Sequence, residues 1–125
     1  MSDKCQKVFN EILRLVPTAD FKAIKMQRNG KLRFPIYIND NLRSTELEAL
    51  DLSVRSNNCL YRAGYRTIAD LVESINSGED LKKIRNCGDK SVTEIMEHLF
   101  CYQYGLMEQG QKLTYINRVL ELNRF

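Results

Sequence analysis

A chain of 125 residues with 43 % hydrophobic and 28 % charged positions has the size and make-up of one compact soluble domain with a small appendage. Its mean hydropathy is negative and its apolar runs last only a few residues, so no segment is expected to span a bilayer. The amphipathic start at Met1 carries no signal-peptide core, which points to the cytoplasm. A formal charge of +3 singles out no partner by itself, but its distribution is uneven. Arg55, Arg62 and Arg66 occur without an acid over 53–68, and Lys82, Lys83, Arg85 and Lys90 outnumber Asp89 over 81–91. Asp70, Glu73, Glu79 and Asp80 fill the stretch between. Such segregation suits a module with one face toward phosphate.

In sequence order, Cys5, Val8, Phe9, Ile12, Leu15 and Val16 recur at helical spacing and predict a helix over 3–16, capped by Ser2 or Asp3 and ended by Pro17. Residues 21–38 alternate like a β-hairpin about Asn29-Gly30. A three-residue loop, Arg28-Asn29-Gly30, sets Met26 opposite Leu32 and Ile24 opposite Phe34, whereas a two-residue turn mixes the faces. Pro35 makes the second arm an edge strand. Residues 39–44 read as a linker, and 45–50 as the start of a short helix capped by Ser44 or Thr45.

Ser53 caps a predicted helix over 54–63 that Gly64 ends. Thr67 with Asp70 forms a capping-box pattern for 68–76. Asn76-Ser77-Gly78 is a turn, and Ser77 caps a short helix through Ile84. Asn86-Cys87-Gly88 opens a longer helix over 89–103, striped by Val92, Ile95, Met96, Leu99 and Phe100 and stopped by Gly105. A last helix over 112–122 presents Leu113, Ile116, Val119 and Leu120.

The four cysteines, Cys5, Cys59, Cys87 and Cys101, include no C-x-x-C pair, and His98 is the single histidine. No zinc site and no other cofactor is expected; the cysteines read as reduced thiols, three of them packed as small apolar residues. His98 falls on the exposed edge of its helix stripe. No paired carboxylates, nucleophile–base spacing or Walker-type loop is present, so the protein is not read as an enzyme.

The chemistry-bearing stretch is Ile84 to Val92. A glycine turn delivers the backbone to a helix start whose N–H groups are unpaired and whose dipole is positive. Such an end holds phosphate oxygen; Gly88 allows close approach, Lys90 adds charge and Ser91 a hydroxyl. The bland alternative is a glycine turn capping a helix with solvated charges. Upstream, Arg55 and Asn58 share a face in the first turns of a helix. An arginine there opposes the helix dipole, and a DNA groove is one reason for it.

The run from Leu50 to Leu60 with its V-R-S-x-N-C-L core, then Ala63-Gly64, Thr67 to Leu71, Leu81, and the N-x-G-x-K-S piece Asn86 to Ser91 with Glu94-Ile95, resembles the C-terminal domain of the bacterial RNA polymerase alpha subunit. The resemblance covers 45–104. It implies a mainly α fold, a compact bundle of short helices with helix-hairpin-helix character, here preceded by the N-terminal helix and β-hairpin (1–44) and followed by a C-terminal helix (105–125). It also implies binding of double-stranded, A·T-rich DNA across the minor groove, and contact with activators and sigma factor.

Carried over by position, Arg55 enters the groove, and Asn58 and Cys59 lie beside the sugar-phosphate backbone. Gly88, Lys90 and Ser91 clamp phosphate, and Glu94 orients the cluster. Asp89 departs from the family's frequent second lysine, the loop at Ile75 to Gly78 is longer, and Ala49 lacks a neighbouring acid beside Asp51. The flanking segments do not resemble the polymerase assembly domain, so the protein is read as a stand-alone relative. Lys25, Gln27, Lys31 and Arg33 on the hairpin are either a solvated face or an auxiliary DNA wing. The rival to DNA binding is an adaptor that docks on RNA polymerase, sigma factor or a regulator without DNA.

Overall fold

The computed structural model describes residues 3–21, 34–36, 44–76 and 87–123. Among these, five α-helices and one 3-10 turn follow in order: α1 (Asp3–Leu15), the turn (Leu47–Leu50), α2 (Val54–Arg62), α3 (Ile68–Asn76), α4 (Asp89–Gly105) and α5 (Gln109–Leu122). The β pairing among them is one isolated antiparallel bridge, Glu46 with Thr67. None of these helices is long and apolar enough to cross a membrane. The protein packs as two units, Met1–Pro35 with Phe100–Phe125, and Ile36–Leu99.

In the Ile36–Leu99 unit the short helices are fixed at their ends. The Ser53 side chain accepts from the Ser56 N–H, and α2 stops in a Schellman turn, with Tyr65 N bonded to Leu60 O and Gly64 N to Tyr61 O. Gly64 takes φ +93°, a left-handed conformation that glycine adopts without steric clash. At α3 the capping box is reciprocal: Asp70 N donates to Thr67 Oγ1 at 3.2 Å, and Thr67 N donates to Asp70 Oδ2 at 3.1 Å. Leu47 N to Arg66 O and Ile68 N to Thr45 O sew the 3-10 turn to the start of α3. The Tyr61 hydroxyl donates to the Glu48 carboxylate.

The Asp70 carboxylate accepts backbone N–H groups of Arg66 and Thr67, and these bonds hold its pKa below the usual carboxylate value. A carboxyl depressed in the folded state stabilises fully above its unfolded pKa of about 4 and loses that contribution as pH falls through the lower folded value. Acid unfolding followed by circular dichroism should therefore show the gap between the native protein and Asp70→Ala to be full near neutrality and to close below pH ~4. Thr67→Ala should cost about 1 kcal/mol at neutral pH.

The other unit is built on aromatic rings. Phe100 is fully buried, with the rings of Phe34, Phe21, Phe9 and Tyr115 at 5.3, 5.6, 6.0 and 6.0 Å. Cys5 and Ile12 of α1 and Ile116 and Val119 of α5 complete this core. Pro17 ends α1 as expected from its fixed φ and missing N–H. Lys112 of α5 lies 3.7 Å from Glu11 of α1 and over the Tyr104 ring.

Several expectations need correction. An N-terminal β-hairpin is not supported. Most of 21–38 lies outside the described residues, but at its ends Phe21 is helical and Phe34 to Ile36 form no strand. The Pro35 carbonyl, which the hairpin reading places on an edge strand, accepts from the Tyr115 hydroxyl at 2.7 Å and from Gln103 Nε2 at 2.8 Å. The turn at 47–50 is capped at Glu46 with no side-chain bond, not by Ser44 or Thr45. Leu15 and Leu113 are exposed, and Tyr115 fills the inward place on α5. His98 is buried: its Nδ1–H donates to the Leu50 carbonyl at 2.6 Å, since a carbonyl can only accept. The linker over 39–43 and the short helix from Ser77 through Ile84 lie outside the described residues.

Candidate nucleic-acid interface

The site residues come from the beginnings of two helices. Val54, Arg55 and Ser56 form the first turn of α2 and Asp89, Lys90 and Ser91 that of α4. Each beginning leaves backbone N–H groups without intrahelical partners and carries the positive end of its dipole. At α2, Ser53 caps Ser56 N. At α4, Val92 N bonds to Gly88 O at 3.0 Å, so Gly88 is the flanking residue and has no side chain with which to cap. Among the described residues, a Cβ on Gly88 would meet nothing within 4 Å.

One bond ties the two beginnings together. Glu94, in the second turn of α4, accepts the Ser53 backbone N–H on its Oε1 at 2.6 Å. The N-cap residue of α2 is thereby fastened to α4 one turn beyond Lys90. Cys59 and Cys87 are buried free thiols, and burial first and the neighbouring Cys59 second push the Cys87 thiol up to about 12. The carboxylate thus engages a main-chain donor as well as lying one helical turn from Lys90.

Of the seven predicted site residues, Arg55, Asn58, Gly88 and Lys90 are exposed and Glu94 is half-buried. Two are not surface side chains. Cys59 is 2 % exposed and Ser91 6 %, so what either residue offers an outside ligand is its backbone. Val54 is 76 % exposed and stands beside Arg55. Sequence reasoning missed Ser53 N–H as the partner of Glu94. Its signal was present in kind, because an N-cap residue has a backbone donor that needs an acceptor, but nothing local names one 41 residues away. Among the described residues no group of three or more His, Cys, Asp or Glu side chains could hold a metal ion.

Comparison with known proteins bears on this geometry. The family described as the C-terminal domain of the bacterial RNA polymerase alpha subunit matches residues 38–100, close to the unit Ile36–Leu99. The DNA-directed RNA polymerase subunit alpha of Moorella thermoacetica is 50 % identical over 60 residues, 48 % of this chain and 18 % of that protein. That of Borreliella afzelii is 38 % identical over 86 residues, 68 % of this chain and 24 % of that protein. The protein therefore spans about a fifth of the length of the curated relatives it matches. No solved structure matches it. With half of its residues matched by one family, and that half folding as the unit that carries both helix beginnings, it belongs to the family of C-terminal domains of the bacterial RNA polymerase alpha subunit.

Proposed function

We propose that the Ile36–Leu99 unit is a transcription-related DNA-binding module that grips A·T-rich duplex DNA across its minor groove. The observation that carries this reading is the 2.6 Å bond from Ser53 N to Glu94, which couples two positively polarised helix beginnings on one body. In the proposed complex Arg55 enters the groove, where a narrow A·T-rich wall concentrates negative potential. Asn58 and the backbone at Cys59 follow one strand. Gly88, Lys90 and the backbone at Ser91 hold phosphate on the other. Glu94 acts as a positioning residue. The module binds and performs no reaction. RNA polymerase, its sigma factor and regulators are further proposed partners, on the ground that the relatives are polymerase subunits.

Phosphate binding releases condensed counterions, so affinity for a fluorescent A·T-rich duplex should fall steeply between about 50 and 200 mM salt. It should exceed affinity for a G·C-rich duplex at the same salt. Lys90→Ala should weaken binding to both sequences and lower the salt slope by about one. One observation favours a second reading: Asp89 is exposed in the first turn of α4 beside Lys90, where its charge opposes phosphate. If no duplex binds at low salt, near about 50 mM, while the protein captures RNA polymerase, the adaptor reading replaces the first.

A further inference from the structure

Charge divides unevenly between the two units. Met1–Pro35 with Phe100–Phe125 holds 11 Lys and Arg against 5 Asp and Glu, a net of +6. Ile36–Leu99 holds 8 against 11, a net of −3, and the two together give the +3 of the whole chain. The unit with both helix beginnings is therefore the acidic one, and Asp89 adds to that sign beside Lys90. A body of net negative charge is held off a polyanion at distances where local dipoles have faded. The other unit has the sign that attracts one. We infer that the Met1–Pro35 and Phe100–Phe125 unit is a second interaction surface, which takes the phosphate backbone of duplex DNA without regard to base sequence.

Its cations suit that role. Lys7 and Arg14 are seven positions apart, so they share one face of α1, and both are exposed. That face lies opposite the stripe of Cys5 and Ile12, which enters the core. Glu11, the acid between them, is engaged with Lys112 at 3.7 Å. The stretch from Asp20 to Asp40 adds Lys22, Lys25, Arg28, Lys31 and Arg33 with no acid between. Residues 22–33 lie outside the described residues. Phe21 and Phe34, on either side of them, both pack on Phe100, at 5.6 and 5.3 Å, so the basic stretch starts and ends at the core of this unit.

Each phosphate met by a cation releases condensed counterions, a gain set by charge and not by sequence. Duplex DNA is favoured over an acidic protein or a lipid surface because the acidic unit of the same chain is read as a DNA module, and to that extent the inference rests on the reading above. Joined in one chain, the two units raise each other's effective concentration at a duplex. One supplies attraction, the other the A·T preference.

The test uses the whole protein with fluorescent A·T-rich and G·C-rich duplexes. Changing Lys22, Lys25, Arg28, Lys31 and Arg33 together to Gln should lower the salt slope by at least about two on both duplexes and leave the preference between them intact. Lys7→Gln with Arg14→Gln, which touches only an exposed helix face, should lower it by about one to two. Lysine acetylation with and without duplex, mapped by mass, reads the native protein directly: Lys7, Lys25 and Lys31 should be protected by either duplex. Unchanged slopes in both variants, or no protection of these lysines, would overturn the inference. Their protection by vesicles of anionic lipid, with none by either duplex, would overturn DNA as the partner. Protection of Lys90 alone would remove this surface and keep the module reading; protection of Lys7, Lys25 and Lys31 without Lys90 would do the reverse.

Discussion

Phe100→Ala is expected to destabilise the unit built on α1 and α5 by about 3–5 kcal/mol, the usual cost of emptying a buried phenylalanine site. The ring is fully buried and touches rings from four separate stretches of sequence: Phe9, Phe21, Phe34 and Tyr115. Rings held on several sides cannot all collapse into the gap, so both the transfer and the cavity contributions should be felt. A loss of this size approaches the whole stability of a small unit. Hydrogen exchange should show protection falling across α1 and α5, and urea unfolding should register the lower midpoint. A loss below about 1 kcal/mol would mean that the ring cluster is not the core of this unit.

Arg55→Ala is expected to cost about 1–3 kcal/mol of binding to the A·T-rich duplex, between roughly fivefold and 150-fold. The side chain is exposed in the first turn of α2, where a cation gains nothing from the helix dipole. Its removal should leave folding intact, or help α2 slightly. It should also narrow the preference for A·T-rich over G·C-rich DNA, because in the proposed complex the guanidinium is the group that enters the narrow groove. Equal affinity of the variant, with unchanged circular dichroism, would remove Arg55 from the interface. Arg55→Lys separates charge from shape: a retained salt slope with a lost preference is expected, since ammonium is a compact, strongly hydrated charge.

Much of the Ile36–Leu99 unit could be read locally because its helices are bounded by short-range chemistry. Ser53, Gly64 and the Thr67–Asp70 pair each satisfy a backbone group within a few positions, and such patterns are visible in a short window of sequence. What failed to show was anything settled by a distant partner. His98 falls on the exposed edge of its stripe, where the pattern leaves a surface and a packed histidine equally open; the Leu50 carbonyl, 48 positions away, is what buries it. Leu113 outranks Tyr115 by hydropathy, yet the tyrosine is inside because its hydroxyl reaches the Pro35 carbonyl. The alternation about Asn29-Gly30 suggested a hairpin, but no local pattern could reveal that Phe21 and Phe34 meet Phe100. The resemblance supplied the seven site residues by position, without saying which face each takes. The Cys59 and Ser91 side chains prove to be buried, which leaves the backbone as what those two positions can offer.

The closure of α2 at both ends constrains the length of this segment as well as its composition. Nine residues between a serine cap and a Schellman turn leave no frayed terminus to absorb an insertion. Each residue advances a helix by about 100°, so one extra residue between Arg55 and Asn58 would swing the guanidinium a quarter-turn or more away from its neighbour. Drift among related sequences should therefore proceed here by exchange of side chains, with gaps and additions confined to the stretches outside this capped helix.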